Sequence, residues 1–244
     1  AFGDYLEKSY PLLHEKLETT VVNGFALIYR WKGANPGRQV LLTAHYDVVP
    51  ADQEGWTHPP FSGAIAQGKV FGRGAMDDKG SLIAILEAVS LLLAEGFVPP
   101  HDVYLAFGFD EEVGGLRGAG EAAAYFHKQG IRFDYVLDEG GAVADGAMMG
   151  IRKPVAVIGV AEKGNTSYRL TFKGMGGHSA APPEETAVSR MAVLVNAASR
   201  RPEKPRLTPA VSAMLQAIAP HKGGLAGFFM ARPGLFAPLL VNSM

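Results

Sequence analysis

An α/β fold, with a central mostly parallel sheet between helices, is the architecture the sequence predicts. Three observations predict it: strand-like apolar runs alternate with helical stretches from residue 1 to about 140, some of those runs are continuously apolar, and acids gather directly after them. The elements follow in chain order. Residues 1–30 are amphipathic, with Tyr5, Leu6, Tyr10, Leu12, Leu13 and Leu17 set against Lys8, Glu15, Lys16 and Glu18, and Pro11 divides them into two short pieces. Phe25 to Trp31 reads as a strand, and the cluster Gly33 to Gly37 as a turn. Val40 to Ala44 is continuously apolar, as expected of a strand buried on both faces. From Gly80 to Gly96, Leu82, Ile85, Leu86, Val89, Leu92 and Leu93 recur at helical spacing, with Gly96 and Pro99 as stop signals.

Val103 to Phe109 is the next predicted strand, Gly118 to Gln129 an Ala-rich helix closed by Gly130, and Tyr135 to Leu137 a short buried strand. Val155 to Val160 reads as one more strand, and Ser167 to Phe172 alternates as a half-exposed strand does. Glu184 to Arg200 is helical, with Ala187, Met191, Leu194 and Val195 on one face. This pattern divides the chain into an α/β domain over residues 1–161 and the start of an α+β domain over 162–244.

Composition narrows the partners. With Lys+Arg 23 against Asp+Glu 24 the net charge is −1, which leaves no field to hold a nucleic-acid backbone or an anionic membrane surface. The chain is 48% hydrophobic and 19% charged, which is globular usage. Cys 0 removes disulfides, thiolate nucleophiles and thiolate metal sites, and it fits either side of a membrane. The longest apolar stretch, Leu82 to Ala94, contains Glu87 and Ser90 and falls short of the ~20 residues that span a bilayer. The first residues lack a start Met and a signal pattern, and the stretch from Gly223 to Leu240 is apolar without a polar finish. The chain is therefore expected to begin inside a longer protein or after processing, and to be truncated at its C-terminus.

The chemistry lies at the strand ends. His45 and Asp47 follow one predicted strand, Glu111 and Glu112 a second, and Asp138 and Glu139 a third. Asp77 and Asp78 stand just before the buried helix. In open α/β sheets the crevice beyond the strand carboxyl ends is where ligands bind. One His and this many carboxylates on one rim repel one another unless a cation joins them. Imidazole and carboxylate donors suit zinc, manganese or cobalt, and a surplus of carboxylates suggests two ions about 3.5–4 Å apart, with Asp77 as candidate bridge. Glu111 and Glu112 point in different directions, so one can ligate while the other acts as base. Asp47, two residues beyond His45, is placed to accept the other ring N–H.

The segments His45-Tyr-Asp-Val-Val-Pro50, Gly72-Arg-Gly-Ala-Met-Asp-Asp-Lys-Gly80, Asp110-Glu-Glu-Val-Gly-Gly115, Leu137-Asp-Glu-Gly-Gly141 and Gly176-Gly-His-Ser179 resemble, in order, the aminoacylase and carboxypeptidase S family of dinuclear zinc amidohydrolases. Trp56-Thr-His-Pro-Pro-Phe61 is similar to that family's Trp-Pro-Phe loop. The resemblance implies a zinc-exopeptidase-like catalytic domain and a lid. His45 would ligate one zinc, Asp77 would bridge, Glu112 would ligate the other, Glu111 would be the base and Asp47 the orienting carboxylate. Asp138 and Glu139 both stand as the remaining acidic ligand. In dimeric relatives the His matching His178 reaches the partner's site and stabilises the oxyanion, which implies a homodimer through the lid.

One departure from the pattern is the family's further His ligand beyond the lid, which nothing here matches; His221 carries no such motif. Two zinc ions are expected in a full-length enzyme, and one or none in this chain. The implied reaction is hydrolysis of the amide bond of an N-acyl amino acid or short peptide beside a free carboxylate, with no nucleic-acid or membrane partner. The alternatives are a metallo-aminopeptidase and a non-catalytic fragment serving as a binding or dimerisation module.

Overall fold

The computed structural model describes residues 2–35, 37–161, 164, 166–174, 176–178, 180, 181, 183–200 and 206–242. The chain divides into two compact units, Ala1–Glu139 and Gly140–Met244, so the boundary expected at residues 161 and 162 falls inside the second unit.

The first unit opens with α1 (Phe2–Ser9) and α2 (Pro11–Lys16). Pro11 starts α2 because its fixed φ suits a first helical residue and its missing N–H has no partner to lose there. The strands β1 (Glu18–Val22), β2 (Ala26–Trp31), β3 (Gln39–His45), β6 (Asp102–Gly108) and β7 (Tyr135–Leu137) form one sheet in the order β1-β2-β6-β3-β7. Between β3 and β6 lie the hairpin β4 (Ala64–Ala66) and β5 (Lys69–Phe71) and the helix α3 (Lys79–Ala94); α4 (Ala119–Lys128) precedes β7.

Strand alternation assigns the two faces of the sheet. Leu27, Tyr29 and Trp31 of β2 and Leu105 and Phe107 of β6 pack with Leu6, Leu13 and Leu17 and with Leu82, Leu86 and Val89 of α3. Ile28, Tyr104 and Ala106 face the other way, onto Ala122 and Phe126 of α4. Helices thus cover both faces, as the sequence predicts.

The sheet is mixed rather than mostly parallel. β1 pairs β2 and β2 pairs β6 antiparallel, while β3 runs parallel to both β6 and β7. The reversed strand is β2, which runs against both neighbours, and its outer neighbour β1 stands where the amphipathic reading of residues 1–30 expects more helix. Its Thr19, Thr20, Val21 and Val22 are β-branched and fit a pleated surface better than a helix. β7 is an edge strand, with Tyr135, Val136 and Leu137 at 57%, 52% and 46% exposure, so the buried strand expected there is corrected. The β4–β5 hairpin was not foreseen: its turn, Gln67-Gly68, has φ of 51° and 71° and is a less usual form of the two-residue turn that normally carries Asn-Gly.

In the second unit β8 (Ala142–Ala144) pairs antiparallel with β9 (Val155–Val157), so the strand expected over 155–160 is shorter. The helices are α5 (Ala187–Ser199), α6 (Pro209–Lys222), α7 (Gly224–Met230) and α8 (Pro233–Asn242). Thr186 and Ser189 cap α5 reciprocally, and Thr208 caps α6. The strand expected at Ser167 to Phe172 does not form; a strand exists through a ladder partner, and the described residues offer it none. Among the described residues no single helix is long and apolar enough to cross a membrane.

The end of β2 is tied to the start of β6 by Asp102. Its Oδ2 accepts from Arg30 Nε at 2.8 Å and lies 2.7 Å from Arg30 Nη2, and its Oδ1 accepts from the Gly33 N–H at 2.9 Å. Burial raises the Asp102 pKa, but the Gly33 N–H and the Arg30 guanidinium outweigh it and hold the carboxyl below its ordinary value. Asp102→Asn should therefore cost about 1–3 kcal/mol near neutrality, measured by urea unfolding. Because the folded pKa is depressed, this stabilisation is complete above the unfolded-chain value and is lost as pH falls through the folded one. Wild type and variant should converge in acid; an equal gap at all pH values would contradict the assignment.

Candidate metal centre

The parallel trio sets the site. β3 lies between β6 and β7 and runs the same way, so all three carboxyl ends open on one edge of the sheet. His45 is the last residue of β3; Glu111 and Glu112 begin a short 3-10 turn after β6; Asp138 and Glu139 follow β7.

His45 is 4% exposed and is the hub. Its Nε2 lies 3.0 Å from Asp77 Oδ1, 3.4 Å from Glu139 Oε2 and 3.7 Å from Glu111 Oε2. Two sets of ligand atoms lie close enough to hold one ion: His45, Asp77 and Glu112, and His45, Glu111 and Glu139. Asp138 stands outside both sets and accepts the Glu139 N–H at 2.9 Å; it also lines a cavity of about 70 Å³ that His45 and Glu111 share.

Asp47 acts on both neighbouring strand ends. Its Oδ1 is 3.3 Å from His45 Nδ1, and its backbone carbonyl is 3.2 Å from the same nitrogen. Its two carboxylate oxygens accept the Glu111 and Glu112 N–H groups at 3.1 Å each. One side chain thereby sets the imidazole and the Glu-Glu turn relative to each other. That double backbone contact is invisible in the sequence, because nothing in the spacing from 47 to 111 reveals that β3 and β6 are neighbours.

Other acids at the rim serve the backbone. Asp110 accepts the Arg117 and Gly118 N–H groups at 2.8 Å each and so shapes the loop leading into α4. Asp78, 1% exposed, accepts the His45 N–H at 3.2 Å. Lys79 donates to the Tyr46 carbonyl at 3.2 Å. Asp78 and Lys79 were not assigned roles by sequence; the signal available was an Asp-Lys pair opening a helix, where a cation is out of place.

The electrostatics are those of crowded acids. Burial and the neighbouring Asp78, Asp77 and Glu111 push the Glu139 carboxyl up to about 7, against the opposing pull of His45. Glu111 is raised by burial and by Glu112, Asp47 and Asp77, with His45 opposing. Burial lowers the His45 pKa, and Glu139, Asp47, Glu111 and Asp78 more than restore it, so the net shift is upward. An imidazole ringed by carboxylates that hinder one another's ionisation fits a divalent cation, which would let every acid ionise.

His178 belongs to the second unit, where it is exposed and its Nδ1 accepts the Ala180 N–H at 3.2 Å. Ser179 of its motif lies outside the described residues. His221 lies in the last turn of α6 and lines a cavity of about 790 Å³ in the second unit, walled mainly by apolar side chains such as Val155, Val157, Met214 and Ile218. Among the described residues that line it there is no acid; the acids that converge do so at His45.

Comparison with known proteins gives matching results. The model of peptidase family M20/M25/M40 matches residues 41–232. A probable carboxypeptidase S-like 2 of Dictyostelium discoideum is 40% identical over 210 residues, covering 84% of this chain and 40% of the relative. The human N-fatty-acyl-amino acid synthase/hydrolase PM20D1 is 35% identical over 248 residues, covering 100% and 49%. Carboxypeptidase S of Saccharomyces cerevisiae is 38% identical over 204 residues, covering 79% and 34%. The chain spans less than half the length of each of these relatives.

Asp47→Ala should weaken binding of a divalent metal about 10–100-fold without abolishing it, because ligand orientation is lost while the ligands remain. Titration of the metal-free chain against a competing chelator measures this. Unchanged affinity would make Asp47 a strand-end charge and nothing more.

Proposed function

The chain belongs to peptidase family M20/M25/M40, and from that premise we propose that the protein it builds is a zinc-dependent amidohydrolase acting on N-acyl amino acids or short peptides with a free C-terminal carboxylate. The observation that carries this reading is the convergence of His45 with Asp77, Glu111, Glu112 and Glu139 on one rim. The names of the relatives, carboxypeptidase S and an N-fatty-acyl-amino acid hydrolase, support the substrate class.

His45, Asp77 and Glu112 would hold zinc, with a further carboxylate from Asp138 or Glu139. Zinc, when bound, supplies a Lewis acid for the scissile carbonyl and makes attacking water acidic enough to ionise near neutral pH. Glu111 takes the proton from that water and returns it to the leaving amine nitrogen, so one carboxylate serves as base and then as acid. Asp47 fixes the imidazole of His45 and, through the Glu111 N–H, the backbone from which the base projects. His178 would donate to the oxyanion from a lid, in a homodimer.

The two candidate ligand sets share His45. A second ion would need a neutral donor of its own, so this chain by itself should hold at most one zinc firmly and turn over substrate poorly. Elemental analysis after dialysis checks this. Two tightly held ions with full activity would show that another donor, such as His178 or His221, completes the site.

Hydrolysis of N-acyl amino acids and Gly-X dipeptides by the full-length protein, compared with amino-acyl arylamides, tests the substrate class. Cleavage of only the arylamides would favour an aminopeptidase, and zinc binding without any turnover would favour a binding module. In the full-length protein, Glu111→Gln should keep the metal and lower kcat by ~10²–10⁴ or more, the usual worth of acid–base catalysis. Loss of metal with that substitution would make Glu111 a ligand instead.

A further inference from the structure

The start of α3 departs from the usual chemistry of a helix terminus. Asp78 holds the N-cap position, yet its side chain accepts nothing from the first turn, although capping is what Asp ordinarily does there. Lys79 follows at the first helical position with no acid in that turn, where the helix dipole disfavours a cation. Neither residue is placed to stabilise its own helix.

Both side chains turn to one short stretch of backbone. Asp78 Oδ2 accepts the His45 N–H, and Lys79 Nζ donates to the Tyr46 carbonyl, each at 3.2 Å. Consecutive residues of the helix start therefore grip consecutive residues at the end of β3. The acidic half of the grip is sealed from water, since Asp78 is 1% exposed. The basic half is closely fitted: Gly74 has φ +82°, and a Cβ there would lie 2.5 Å from Lys79 Nζ and against Val48 Cγ1. The backbone at Gly74 is bare where the lysine head passes.

Asp77 immediately precedes this pair, and His45 opens the stretch that the pair holds. His45 Nε2 and Asp77 Oδ1 stand 3.0 Å apart across the same junction. We propose that Asp78 and Lys79 are positioning residues whose two-point grip on His45 and Tyr46 sets the separation of His45 and Asp77 for a shared metal ion. The proposal rests on the metal-centre reading above.

The sign of one effect separates this role from a mere charge. As a charge near Asp47 and Asp77, the Lys79 ammonium repels an incoming cation, and its removal should tighten binding. As a clamp, its removal should let the strand end drift from Asp77 and weaken binding, by the ~10–100-fold that orienting partners are worth.

The test is zinc affinity of the metal-free 244-residue chain, measured by chelator competition, with the Tm of each metal-free variant alongside. Lys79→Met should bind zinc about 10–100-fold more weakly at a Tm near that of wild type. Lys79→Gln, whose side chain is one bond shorter and uncharged, should weaken binding in the same direction, whereas loss of charge alone would tighten it; it carries the test if Lys79→Met does not fold. Leu86→Ala, in the core and away from the junction, should lower the Tm and leave zinc affinity in place. Unchanged or tighter binding in Lys79→Met, or weakening that merely tracks Tm as a core variant would, overturns the grip. Failure of the underlying reading looks different: wild type would then bind no zinc that His45→Ala abolishes.

Discussion

The parallel alignment of β6, β3 and β7 is the constraint from which the site follows. Three strands running the same way must end on the same edge, so whatever residues terminate them are brought together however far apart they lie in the chain. Here those residues are a histidine and acids. Their mutual repulsion is an unfavourable term that the surrounding fold holds in place, with apolar side chains packed on both faces of the sheet beneath them. A divalent cation converts that repulsion into attraction.

The acids at this rim divide by what their oxygens already do. Asp110 is used by the loop before α4, Asp78 by the His45 backbone, and Asp47 by two backbone N–H groups together with the imidazole. Asp77, Glu111, Glu112 and Glu139 are the acids whose carboxylates fall in the two ligand sets with His45. The first group makes the scaffold on which the second can be held close.

Much of this was legible in the sequence for physical reasons. Continuous or alternating apolar runs mark β2, β3 and β6 because burial selects them, and Leu82, Leu86 and Val89 mark α3 because helical periodicity does. Acids following those strands were visible as a pattern. What escaped was decided by long-range pairing: β1 depends on a neighbour at β2, the segment from Ser167 to Phe172 forms no strand without one, and the antiparallel half of the sheet has no local signature. Between Asp138 and Glu139, alternation along a strand end gives two directions but not which one meets His45. The structure turns Glu139 toward it.

The central claim is that the strand ends gather around His45 to bind a metal ion. Anomalous diffraction at the zinc absorption edge, from crystals of the chain grown with zinc, tests it most directly. The account predicts a peak within bonding distance, about 2.0–2.2 Å, of His45 Nε2 and an Asp77 oxygen. A well-bound peak elsewhere with none beside His45, or no peak at saturating zinc, would contradict it.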